Sequence, residues 1–229
     1  MNNQQKVKKI NFFILISCLF LTSVLSSKTF KKVNSQDISI LGSELLSIED
    51  IVANSSLEFP TPLIFVKTKY TEKELKKNLS LKNVSISRQI FPFGLKIFIK
   101  TRTPIAYGEK FIKGEKINGY IDQEGFFIYE EFSDKENIKN ISSRVLGWKE
   151  EHKETLSKIL HSQKKDDIEF ITINYLPNGF LILEEKSLKT IFLGIDPEII
   201  DTQLQIICNI KNQLIEKNIL ERIDNIDLT

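Results

Sequence analysis

Polar and apolar residues alternate most regularly between Asn83 and Ala106, NVSISRQIFPFGLKIFIKTRTPIA. Val84, Ile86 and Ile90 share one parity, with Arg88 as the polar exception. Leu95, Ile97 and Ile99 lie on one face, with Lys96 and Lys100 on the other. A period of two sends successive side chains to opposite faces, so the stretch predicts two half-buried strands. Pro92-Phe93-Gly94 supplies the turn between them, because proline fixes φ and glycine tolerates positive φ. Arg102-Thr103-Pro104 closes the second strand, since proline cannot donate to a ladder.

Upstream, Ile38, Ile40 and Leu41 before Gly42 predict a short strand. Ser47-Ile48-Glu49-Asp50 opens a short helix ending near Asn54, with Ser47 as cap and Asp50 three residues on. Pro60 and Pro62 interrupt the chain before an apolar patch at Leu63–Val66. Thr71-Glu72-Lys73-Glu74 has the form of a second capping box and predicts a helix to about Leu79. Residues 36–106 therefore read strand, helix, helix, strand, strand.

Residues 107–229 read as a mixed, β-rich domain with helices on one face. Gly119–Asp122 is a strand, Glu124-Gly125 a turn and Phe126–Tyr129 the returning strand. A polar loop runs from Ser133 to about Asn140. Trp148–Gln163 is helical in pattern, with Leu156, Ile159 and Leu160 as a narrow apolar face. Ile168–Leu193 predicts a three-stranded meander with turns at Pro177-Asn178-Gly179 and Glu185-Lys186-Ser187. Asp196-Pro197-Glu198 is a helix start, with aspartate at the cap. Ile200, Leu204, Ile207, Cys208 and Ile215 then line one helical face, and Ile223–Leu228 returns as a strand.

The N-terminus adds a different element. Ile10–Ser27 is free of charge and mostly apolar. At ~1.5 Å per residue it measures ~27 Å, enough to cross a bilayer core. It predicts an uncleaved transmembrane signal anchor over residues 10–27, preceded by a cytoplasmic tail at 1–9. Cleavage of a signal peptide after Ser26 is the alternative. Either way the bulk of the chain is expected outside the cytoplasmic membrane.

Charge and chemistry narrow the function. Six lysines and no acid occupy the first 32 residues, which leaves 26 basic against 30 acidic residues in the remainder. That mildly acidic body argues against a nucleic-acid partner. Cys18 and Cys208, one in the apolar run and one in a predicted helix, provide neither a disulfide framework nor a metal site. His152 and His161 are nine residues apart and share no face at i, i+4, so no zinc site is expected. Glu130-Glu131 and Asp166-Asp167 are adjacent pairs, which would point to opposite faces of a strand and make poor acid–base partners. No glycine-rich phosphate loop or serine elbow occurs. The expectation is a protein without catalytic residues, cofactor, metal or small-molecule substrate, which works by binding. An open sheet edge accepts an extended partner strand through main-chain hydrogen bonds, and the 83–106 hairpin offers a second such edge.

The order of elements resembles the FtsQ (DivIB) family of bacterial cell-division proteins. The matching residues in its POTRA module are Ile38-Ser39-Ile40-Leu41-Gly42, Ser47, Ile51, Arg88, Pro92, Leu95, Ile97, Ile99 and Arg102-Thr103-Pro104-Ile105-Ala106. Gly119-Tyr120-Ile121-Asp122-Gln123-Glu124-Gly125 and Ile226-Asp227-Leu228 match segments of its second domain. Thr101 stands where the family usually has a glutamate, a departure expected to touch an exposed strand end. The resemblance implies an α+β protein: a transmembrane helix, a POTRA-like β-α-α-β-β module at 36–106 and the β-rich domain at 107–229. It implies a single-pass inner-membrane protein with a periplasmic body at the division septum. There it would scaffold partners of the FtsB and FtsL type and help regulate septal peptidoglycan synthesis. The partner-binding residues expected by resemblance are Ile223, Asp224, Asn225, Ile226, Asp227, Leu228 and Thr229. The family's further strand and tail have no counterpart after Thr229, so the docking edge is expected to be shortened or moved to the preceding strands. An exported POTRA-containing chaperone or envelope-transport component, with its signal peptide cleaved, is the other reading.

Overall fold

The computed structural model describes residues 3–133, 138, 141–166, 168–217 and 225–229. The chain divides into two units, Met1–Lys100 and Thr101–Thr229.

The first unit opens with α1 (Asn3–Phe30), which extends past both predicted ends of the anchor. Neither glycine nor proline interrupts it. Its Phe12–Phe30 section is long and apolar enough to cross a membrane, and none of it is buried. β1 (Lys32–Val33) follows, then β2 (Ile38–Leu41), α2 (Ile48–Ala53), β3 (Thr61–Pro62), α3 (Thr68–Asn78), β4 (Asn83–Gln89) and β5 (Gly94–Lys100). β1 pairs with β3, and the other strands form a three-stranded sheet in the order β2-β5-β4. β5 is central: Ile97 faces Ile40 of parallel β2 and Ile86 of antiparallel β4. Leu95, Ile97 and Ile99 are buried, as their alternation predicts. The turn occupies residues 90–93, so Ile90 leaves the strand. Gly94 is required where it stands: φ is +145°, and a Cβ there would collide with the Asp37 carbonyl.

The capping box at Ser47 forms in both directions, with Ser47 Oγ accepting from Asp50 N and Asp50 Oδ2 accepting from Ser47 N. These bonds, the Ser47 amide foremost, hold the Asp50 carboxyl below its usual range. The second box does not form. α3 begins at Thr68, one turn early, and Thr71 is a buried residue whose hydroxyl donates to the Lys67 carbonyl. Glu74 is engaged elsewhere, accepting from the amide and hydroxyl of Ser56.

The second unit is one eight-stranded sheet. Its elements are β6 (Pro104–Ile112), β7 (Glu115–Asp122), β8 (Phe127–Tyr129), β9 (Ser143–Leu146), α4 (Lys153–Asp166), β10 (Phe170–Tyr175), β11 (Phe180–Glu185), β12 (Lys189–Gly194), α5 (Ile200–Glu216) and β13 (Asn225–Leu228). The strand order is β13-β12-β11-β10-β9-β6-β7-β8. β9 runs parallel to both β6 and β10, and β13 runs parallel to β12. Leu156, Ile159 and Leu160 of α4 and Ile200, Leu204 and Ile207 of α5 bury one sheet face in a single core. The α+β class and the helices on one face stand as predicted.

Several boundaries move. Pro104, expected to close a strand, opens β6, where a missing N–H costs least; the boundary predicted at Ala106 therefore falls inside a strand of the second unit. β6 and β9 carry no clean alternation. Lys110, which breaks it in β6, is buried with its ammonium 4.1 Å from the Phe127 ring centroid and 4.2 Å from that of Tyr129. Trp148 precedes its helix rather than starting it, and its indole N–H donates to the Gly125 carbonyl. Asp196 caps a turn, accepting from the Glu198 amide, and α5 starts at Ile200. Ile215 is 51% exposed and Leu214 takes its place in the core.

Thr101, expected at an exposed strand end, is half-buried just beyond the end of β5, and the next residue is Arg102. Arg102 is 7% exposed, and its guanidinium donates to Asp122 at 2.5 Å and Glu124 at 3.0 Å and lies 3.6 Å from the Phe126 ring centroid. Asp122 also accepts from the Glu124 and Phe126 amides, so one carboxylate fixes the β7–β8 turn.

Leu183 is fully buried in the middle of the sheet. Leu183→Ala is expected to destabilise the second unit by about 2–5 kcal/mol. Denaturant unfolding followed through Trp148, the single tryptophan, measures it.

Candidate functional site: an open sheet edge

Strand edges are where this fold leaves main-chain donors and acceptors unpaired. In the first unit β4 is an edge, but it is not free. Glu72 of α3 reaches across and accepts from the Ile86 amide at 2.8 Å. The hairpin, expected to offer a second docking edge, is thus capped in its middle by a carboxylate. That contact depends on where α3 packs and is invisible in the alternation of β4.

In the second unit β13 is an edge strand. Thr190, Ile191, Phe192 and Leu193 of β12 pair in parallel with Asn225, Ile226, Asp227 and Leu228. Among the described residues no strand pairs with its other side. A parallel pair needs a crossover, and α5 provides it. Ile226 is buried against the core and Leu228 half-buried, while Asn225, Asp227 and Thr229 are exposed. The Asp227 carboxylate accepts from the Thr229 amide at 3.0 Å and its hydroxyl at 2.8 Å. These bonds, the amide first, hold the Asp227 carboxyl below its usual range. Beside the edge, Phe192 stands in register with Asp227 and Ile182 with Phe192, both half-buried, on the sheet face away from the helices.

Of the predicted docking residues, Asn225, Ile226, Asp227 and Leu228 form β13 and Thr229 follows it; Ile223 and Asp224 lie outside the described residues. Two positions hold this edge that the sequence did not mark as part of a site, Glu185 having been read only as a turn residue. Gln203 is buried on α5, and its Nε2 donates to the Leu228 carbonyl at 2.7 Å. It falls at i+3 from Ile200, a polar residue on an apolar face, which is a visible signal. Glu185 is 2% exposed and accepts from Lys211 of α5 at 3.0 Å and from the Ser187 and Leu188 amides at 2.5 and 2.7 Å. It ties the β11–β12 turn to the helix beside β13. Burial raises the Glu185 carboxyl, but Lys211 and the two amides outweigh burial and hold the group below the usual range.

The other singled-out residues do not converge. His152 sits in a short 3-10 turn, stacked 4.2 Å from Tyr175, and its burial lowers its proton affinity. His161 is exposed and bonds the Ser157 carbonyl. Glu130-Glu131 lie in a 3-10 turn rather than a strand. Asp166 ends α4, and Asp167 is outside the described residues. Cys18 is exposed on α1 and Cys208 half-buried on α5, both free. Among the described residues no three His, Cys, Asp or Glu side chains gather as for a metal.

The unit with the three-stranded sheet is the part that a family model matches. Residues 33–102 match the family model of the POTRA domain, FtsQ-type. This is an FtsQ-type POTRA domain. The match supports assignment of the chain to the FtsQ/DivIB family. No curated protein matches the chain. The match ends at Arg102, so the sheet that bears the β13 edge, which begins at Pro104, lies wholly beyond the FtsQ-type POTRA domain.

Two outcomes test how the edge is held. A depressed carboxyl contributes stability above its unfolded value and loses it as pH falls through the folded one. Glu185→Gln is therefore expected to lower stability at neutral pH and to lose less than wild type on acidification below about pH 4.5, read by unfolding at a series of pH values. Gln203→Leu deprives the Leu228 carbonyl of its donor, worth about 1 kcal/mol, and is expected to speed hydrogen exchange at Ile226–Leu228 about fivefold. Global stability moves less, because Gln203 Oε1 is itself buried without a partner.

Proposed function

We propose that the chain is a membrane-anchored cell-division scaffold. The FtsQ-type POTRA domain, beginning at Val33 directly after a helix of membrane-spanning length, carries the reading. In this reading α1 stays in the inner membrane with the short tail in the cytoplasm and the body in the periplasm at the septum. The β13 edge receives an extended segment of a membrane-bound partner of the FtsB type, with FtsL in the same assembly. Confinement to one membrane raises the effective concentration of such partners. Asn225, Asp227 and Thr229 face the arriving strand's surroundings, and Phe192 and Ile182 supply apolar surface beside them. The protein regulates septal peptidoglycan synthesis by whom it holds, without catalysis of its own.

A fluorescent fusion at the N-terminus, imaged in dividing cells, is expected to band at the constriction. An even envelope signal would remove the division role, and fluorescence freed into the cytoplasm would replace the anchor with a cleaved signal peptide. At the edge, Asp227→Lys is expected to weaken capture of the FtsB-type partner at least tenfold, about 1.4 kcal/mol, in a pull-down from membranes. Unchanged capture by a folded variant would refute docking at β13.

A further inference from the structure

We infer that the membrane-proximal end of the POTRA unit is itself a lipid-binding surface that beds into the anionic headgroup layer of the bilayer crossed by α1. This rests on the reading of α1 as a retained anchor and adds a second contact with the membrane.

Three separate segments meet at the C-terminal end of α1. The Leu63 amide donates to the Lys31 carbonyl at 3.1 Å, which ties the 3-10 turn at Leu63–Phe65 to the helix exit. Lys28 lies over the Phe91 ring at 5.8 Å and Lys31 over the Phe93 ring at 4.6 Å, which brings in the β4–β5 turn. The apolar side chains at this junction are exposed: Phe30 59%, Ile64 40%, Phe65 65% and Phe91 71%. Large apolar side chains gathered on the surface mark a contact with an apolar partner.

Charge says which partner. Residues 28–36, 59–71 and 89–95 contain no acid and carry Lys28, Lys31, Lys32, Lys67 and Lys69; Lys69 is paired with Glu72, and Asp37 borders the turn at Gly94. A surface with more lysines than acids, rimming exposed phenylalanines, complements an anionic lipid interface, where rings enter the headgroup–acyl boundary and lysine stems snorkel outward. Position agrees. The Phe12–Phe30 span of 19 residues measures ~28 Å at 1.5 Å per residue, so its end coincides with the edge of a ~30 Å hydrocarbon core. Phe30 and Lys28 then sit at the boundary, and Phe91 and Phe65 stand beside them.

The test uses the full chain reconstituted in phosphatidylcholine vesicles, with and without phosphatidylglycerol, containing lipids brominated at shallow or deep positions. Phe91→Trp adds a reporter to Trp148. With phosphatidylglycerol present, the added emission is expected to be blue-shifted and mostly lost to shallow brominated lipids. The loss is expected to shrink when Lys28, Lys31 and Lys32 are all changed to Gln. Leu19→Trp, in the middle of the exposed α1 surface, reads the anchor separately and is expected to be quenched by deep bromines. Quenching at Leu19→Trp with a water-like, unquenched Phe91→Trp would overturn the lipid surface and leave the anchor intact. No quenching at either would overturn both.

Discussion

Everything in the second unit depends on covering one face of a single sheet. Eight strands expose two faces, and α4 and α5 bury only one of them. The apolar positions of β10, β11 and β12 must then fall on one parity, because a slip of one residue would turn Ile173, Leu183 and Ile191 out to water. The same demand fixes α5. Its apolar stripe through Ile200, Leu204 and Ile207 lies over β12 and β13, and places Gln203 and Lys211 where their side chains reach the last carbonyl of the edge and the β11–β12 turn. The geometry of the edge is thus a by-product of core packing.

That edge, like β8 at the other end of the sheet, has no further strand paired with it among the described residues. The POTRA hairpin shows the contrasting solution, with a carboxylate from the neighbouring helix occupying an edge amide. On β13 the neighbouring helix reaches the last carbonyl, through Gln203, and among the described residues no side chain occupies an amide of the strand. Its polar side chains, the Asp227–Thr229 turn and its short length keep it from being a sticky surface while leaving its backbone available. The proposed scaffold role would draw on both properties.

The first unit is organised by continuity instead. α1 hands the chain to the POTRA fold through one main-chain bond and two lysine–ring contacts. Helix, turn and basic rim therefore belong to one surface. In the proposed role that surface would orient the unit at the membrane, which matters for a protein whose partners are membrane-bound.

The sequence by itself determined the elements whose stabilisation is local or strictly periodic. Alternation placed β4, β5 and the 170–194 meander, the Ser47–Asp50 box placed α2, and an uninterrupted apolar run placed α1. The last strand was legible over Asn225–Leu228 by resemblance and by Ile226 and Leu228 alternating with polar neighbours. Tertiary structure decided the rest. β6 and β9 gain their place from flanking strands, and their own pattern is broken by Lys110 among aromatic rings and by brevity. Thr71 is drawn into the core and loses its cap role to an earlier turn. Arg102 becomes a buried partner of Asp122, twenty residues away, and Glu72 reaches Ile86 across fourteen. Which edge is closed and which stays open rests on such contacts between residues distant along the chain, and only packing brings those together.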